Sequence, residues 1–118
     1  MTLEEFEKET AAALERLPPE WRARLENVVV TVAARPTAAQ ERRFGRGLLG
    51  LYEGVPLPER AQGYSGAMPD KITLFKDNLE AGCRNAAGLR RAVRHTVMHE
   101  LAHYFGMTDE ELKEKGLY

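Results

Sequence analysis

The chain is poor in the residues that usually announce a function: one cysteine, one tryptophan and three histidines among 118 residues. A single cysteine, Cys83, excludes an internal disulfide and a cysteine-based zinc cluster, so it is expected to pack as a small hydrophobe. No apolar run approaches the roughly 20 residues that span a bilayer. The start, Met1-Thr2-Leu3-Glu4-Glu5, is acidic and lacks the apolar stretch of a secretion signal, so a cytoplasmic protein is expected. A dominant charge is missing too. The net charge is −1 and the pI near 6.3, so no overall field steers nucleic acid or an anionic membrane. The ends are acidic and the stretch 21–94 is basic, but the arginines at 84–94 lack the interleaved aromatics of a nucleic-acid platform. With no repeat, low-complexity segment or linker, residues 1–118 are expected to form a single domain around one modest core.

The scarce histidines all fall on one short stretch: His95, His99 and His103. In His99-Glu100-Leu101-Ala102-His103 two histidines stand four residues apart. On a helix they share a face, about 6 Å apart along the axis. Two imidazoles so placed can converge on one zinc ion, at about 2 Å each. Glu100 lies about 100° round the helix, flanking the metal, where a carboxylate can take a proton from a bound water. This spacing is the helical zinc-hydrolase pattern, with Glu100 as general base. His95 does not join the pair as a third ligand. It lies about 12 Å along the axis from His103, and both cannot reach one ion at about 2 Å.

The surrounding chain reads as alternating helices and short strands. Thr2 with Glu5 forms a capping box for a first helix over 3–17, carrying Leu3, Phe6, Leu14 and Leu17 on its apolar side. Pro18-Pro19 stops it, and a second helix runs through Trp21, expected in the core, to Leu25. Val28-Val29-Val30-Thr31-Val32 is β-branched throughout and reads as a strand buried on both faces. Thr37 with Gln40 caps a short helix toward Phe44, and a strand is expected over 48–53. Prolines and glycines over 54–70 indicate an irregular loop, and the alternating Lys71-Ile72-Thr73-Leu74-Phe75 a third strand. A short helix over 78–83 follows. Asn85 caps a long helix over 86–105, whose apolar stripe runs through Val93, Val97, Leu101 and Phe105. Gly106 ends it in a left-handed conformation, and Thr108 with Glu111 caps a final short helix.

The longer pattern His99-Glu100-x-x-His103-x-x-Gly106-x-x-Asp109 resembles the zincin metallopeptidases, in the variants where an aspartate supplies the third ligand. Three segments extend the resemblance over nearly the whole chain: Leu51-Tyr52-Glu53-Gly54-Val55-Pro56-Leu57, Pro69-Asp70-Lys71-Ile72-Thr73-Leu74 and Val97-Met98-His99-Glu100-Leu101-Ala102-His103. Together they look like a family of small bacterial single-domain zincin-like proteins. The resemblance implies a compact α/β (α+β) domain: a minimal zincin-like fold with a small mixed sheet and a zinc-bearing helix near the C-terminus. Metzincins carry a third histidine where Asp109 stands and a methionine turn further on. Nine residues follow Asp109, so no such turn is expected, and Met107 precedes the proposed ligand.

The ligand set expected from this reading is His99, His103 and Asp109 holding Zn2+, with water in the open position. Asp109 has a competing explanation, because acids in the first turn after the Thr108 cap favour the helix dipole. The alternatives for the third place are Glu110, water or another residue. The function expected is peptide-bond hydrolysis, with a peptide or protein substrate laid along an exposed strand edge, either 48–53 or 71–75. The alternative is a zinc-binding protein without peptidase activity, whose metal is structural or serves a partner. Tyr52, Tyr64 and Tyr104 could each offer a hydroxyl to a reaction intermediate, but packing accounts for them. Arg90, Arg91 and Arg94 read as a solvated helix start, and neither a nucleic-acid nor a membrane partner is expected.

Overall fold

The computed structural model describes residues 1–54 and 70–114, the side chains of Asp109 and Leu112 excepted. The capping boxes set the first boundaries. Thr2 Oγ1 accepts from Glu5 N at 3.1 Å while Glu5 Oε1 accepts from Thr2 N at 3.0 Å, opening helix α1 (Leu3–Glu15). Phe6, Thr10 and Ala13 face the core, whereas Leu3 in the first turn is 41% exposed. Helix α2 (Pro19–Arg24) buries Trp21. Strand β1 (Val28–Ala33) leads to helix α3 (Ala38–Phe44), capped by Thr37 and Gln40 with both legs of the box formed. Strands β2 (Gly50–Glu53) and β3 (Asp70–Phe75) follow, and helix α4 (Lys76–Ala81) continues directly from β3. The expected loop 54–70 falls almost wholly outside the described residues; Asp70 itself opens β3.

Helix α5 (Ala86–Tyr104) is the longest element. Asn85 Oδ1 accepts from Gly88 N at 2.8 Å at its start. At its end Met107 N donates to Ala102 O at 2.9 Å across Gly106, whose φ of 78° closes the helix as a Schellman turn. Met107 packs against the core and helix α6 (Asp109–Glu114) leaves in a new direction, with Thr108 Oγ1 accepting from Glu111 N at 3.2 Å. Val93, Val97 and Leu101 of the predicted stripe are fully buried. Phe105 is not: it is the C-cap, already turned away from the helix face, and is 49% exposed under the Arg24 guanidinium.

The sheet orders β1-β3-β2, with β1 parallel and β2 antiparallel to β3. Helices α1 and α5 pack together on one face of it. Register puts Val28, Val30 and Val32 beside Ile72 and Leu74 on that face, closing a core with Phe6, Trp21 and Leu101. Two expectations about the strands are corrected here. Among the described residues the β-branched run 28–32 is an edge strand with one partly buried row packed on the core, and Val29 on its other row is 46% exposed. The segment 71–75 is the central strand, hydrogen-bonded on both sides, so it offers no edge to a peptide. Only β2 of the two candidate strands has a free side among the described residues.

One close approach brings the helix onto that strand. Gly50 is buried on the helix face of β2, and a Cβ there would lie 2.8 Å from the Thr96 methyl and 3.3 Å from the Thr73 carbonyl. Gly50→Ala is expected to cost about 1–3 kcal/mol, because a packed interface must open to admit the methyl. Thr96→Ser deletes the opposing methyl while keeping a hydroxyl that donates to Ala92 O at 2.8 Å. In that background the cost of Gly50→Ala should fall by at least about 1 kcal/mol, read as a coupling energy in a urea-unfolding double-mutant cycle. Additive costs would show that helix and strand do not meet there.

Candidate active site

The apolar stripe of α5 turns Val97 and Leu101 inward and thereby leaves His99, Glu100 and His103 at the border between core and surface. His99 and Glu100 are half-buried, His103 exposed. The rings of His99 and His103 meet edge-on with centroids 4.2 Å apart. Two imidazoles that close can each present a nitrogen to one ion at about 2 Å. The donor set of two imidazoles and a neighbouring carboxylate suits zinc. His95 stacks on the far side of His99 at 6.2 Å and stays on the rim. Burial pushes the Glu100 carboxyl above its ordinary value, while the charge of His103 pulls it back down.

A cleft of about 320 Å3 opens beside this group. Helix α5 contributes His95, His99 and Glu100 to one wall, and the segment entering β2 contributes Arg46, Leu48 and Leu49 to the other. The cleft therefore runs between the helix and the start of the edge strand, with Gly50 at its base.

The predicted third ligand is placed only by its backbone. Asp109 is the first residue of α6, just past the Gly106 turn that redirects the chain after His103. Among the described residues no three His, Cys, Asp or Glu side chains gather closely enough to hold a metal ion. His99 and His103 are the part of the proposed ligand set whose side chains lie within them.

Two features of the site were not read from the sequence. Tyr52 donates its hydroxyl to the buried Asp70 carboxylate at 2.6 Å and stacks on Tyr104 with centroids 4.3 Å apart. Desolvation, then the bond and charge of Asp70, hold the Tyr52 phenol well above its ordinary range, so it stays protonated and acts as a donor. This contact ties β2 and β3 to the end of α5 next to His103, and it commits the Tyr52 hydroxyl to structure. The only hint in the chain was that Tyr52 and Asp70 both fall within the segments carrying the family resemblance. Tyr64 lies outside the described residues. The second feature is Arg46, set in the loop between α3 and β2, where nothing in the local pattern marked it as part of a site. The arginines at 90–94 behave as a helix face, Arg90 pairing with Glu9 of α1 at 2.6 Å. Cys83 is half-buried against the core, as expected of a small hydrophobe.

An α+β domain with a paired histidine motif on a helix beneath a small mixed sheet, its edge strand bordering the site, defines the zincin-like class of proteins. A family model described as zincin-like metallopeptidase matches residues 25–117, and the chain belongs to that family. The comparison with curated proteins returns no match. The family implies a metal, typically zinc. No helix among the described residues is long and apolar enough to cross a membrane.

Proposed function

We propose that the chain is a zinc-dependent peptidase. What supports this reading is that His99 and Glu100 both line a cleft reaching the start of strand β2, with His103 edge-on to His99. His99 and His103 would hold the metal, with Asp109 as the third protein ligand. When bound, zinc supplies Lewis-acid polarisation of a carbonyl and lowers the pKa of a water toward about 7. Glu100, lining the cleft, accepts the proton of the attacking water and hands it to the leaving amine. The side of β2 that is free among the described residues holds an extended peptide by main-chain hydrogen bonds, as a further strand of the sheet. Antiparallel addition gives the better ladder.

The test is release of fragments from an unfolded protein such as casein. Zinc-loaded chain is expected to cleave it, cleavage to stop on chelation and to return on adding zinc. A chain that retains zinc and cleaves nothing has a structural or partner-binding metal instead.

A further inference from the structure

The cleft has one permanently charged residue besides those assigned to metal and proton transfer, and that residue is Arg46. Some arginines have partners, Arg35 with Asp77, Arg90 with Glu9 and Arg24 over Trp21 and Phe105, while others, such as Arg91 and Arg94, belong to other surfaces. Arg46 is exposed at the cleft and has no ion pair among the described residues. Its loop is shaped for the position. Gly45 and Gly47 on either side take φ of 92° and 80°, where other residues are strained, although a side chain at either would meet nothing within 4 Å. These glycines therefore serve backbone direction, not space. Downstream the loop is pinned: Leu48 O accepts from Asn78 Nδ2 at 2.7 Å, and Leu49 O accepts from Phe75 N at 3.0 Å. The guanidinium is thus presented from a tethered turn beside the apolar Leu48 and Leu49 side chains.

The direction of the strand says which part of a substrate meets it. Gly50 packs on Thr96 and Tyr52 stacks on Tyr104, so β2 and α5 run the same way. A peptide added antiparallel to β2 travels from the Glu53 end to the Gly50 end. Its residues after the scissile bond then enter the cleft at Arg46. From this geometry we propose that Arg46 is a specificity residue that takes a carboxylate on the C-terminal side of the cleaved bond. The carboxylate is either an Asp or Glu side chain or the substrate's own C-terminus. A guanidinium pairs with it through two parallel hydrogen bonds, and the leucines cover the methylenes of a glutamate. A lysine or arginine at the same place meets like charge. This inference rests on the peptidase reading for the word substrate, but the carboxylate pocket can be tested without turnover.

The experiment has two arms. In the first, zinc-loaded native chain and Arg46→Glu digest a random-sequence peptide library, and the cut sites are read by mass spectrometry. Native chain is expected to favour an acid in the first two positions after the cut, or to cut next to free C-termini but not amidated ones. The first pattern identifies a side-chain carboxylate and the second a terminal one. Arg46→Glu should abolish either preference, by roughly tenfold, and turn toward basic residues. Identical profiles in the two proteins overturn the proposal while leaving the peptidase reading intact.

The second arm measures binding by fluorescence anisotropy, with Glu100→Gln chain as the receptor, with and without Arg46→Glu. The probes are labelled Ala-Ala-Glu-Ala amide, its Gln counterpart, and the Gln peptide with a free C-terminus. A carboxylate-bearing probe should bind roughly tenfold more tightly than the Gln amide, and the advantage should vanish with Arg46→Glu. That result with no cleavage in the first arm would sink the peptidase reading and keep the pocket. Equal binding of all probes, or none of any, overturns the proposal. Arg46 is exposed and outside the core, so zinc retention and an unchanged far-ultraviolet spectrum verify that the variants are folded.

Discussion

Glu100→Gln is expected to leave zinc bound and to lower kcat/KM for peptide cleavage by roughly 10²–10⁴-fold, the usual worth of a positioned acid–base group. Glutamine keeps the shape of the side chain and its place in the cleft wall but cannot accept a proton. The substitution also removes a carboxylate from a half-buried position where burial already disfavours its charge, so the fold should be at least as stable as before. Loss of activity with unchanged zinc content and undiminished thermal stability is therefore the expected combination. Hydrolysis at the native rate would remove Glu100 from the mechanism. Loss of zinc together with activity would recast it as a metal-site residue.

The second large effect is on the metal. After zinc loading and exhaustive dialysis the native chain should retain close to one zinc per chain, and His99→Ala and His103→Ala essentially none. A two-histidine site deprived of one imidazole keeps too few protein ligands for a stable tetrahedral centre. Neither side chain fills the core, which is closed on this helix by Val93, Val97 and Leu101, so both variants should remain folded. Asp109→Ala separates the candidates for the third position. Weakened zinc retention there, with Glu110→Ala at the native level, assigns the third ligand to Asp109; the reverse assigns it to Glu110. Full retention in both leaves that position to water or another residue. If the native chain retains no zinc at all, the site is weak, incomplete or filled by a partner, and the peptidase reading falls behind the zinc-binding one.

How much could be read in the residues differs from one part of the chain to another. Local interactions were the legible ones. Thr2 with Glu5 and Thr37 with Gln40 form their capping boxes, Asn85 caps α5, and Gly106 ends it with a positive φ. Each depends on groups within three or four residues, so the sequence window contains the whole interaction. The run 28–32 was legible as a strand and illegible as an edge, because β-branched residues report the pleated conformation and not the number of neighbours. Phe105 continued the helical stripe on paper but sits one residue past the last turn, where periodicity no longer applies.

The residue pattern alone was enough to place two histidines and a carboxylate on one helix, since spacings of one and four residues have a single meaning once the helix forms. Everything that makes a cleft of them came from residues far apart in the chain. Strand β3 took the centre of the sheet and left β2 with a free side among the described residues. Gly50 let the helix close onto that strand, Tyr52 and Asp70 tied the strands to the helix end, and the glycine-flanked loop carried Arg46 across to face His95 and Glu100. Pairing order and close approach are settled by the whole core packing at once, because they exchange buried area and hydrogen bonds between distant segments. No local window holds that balance.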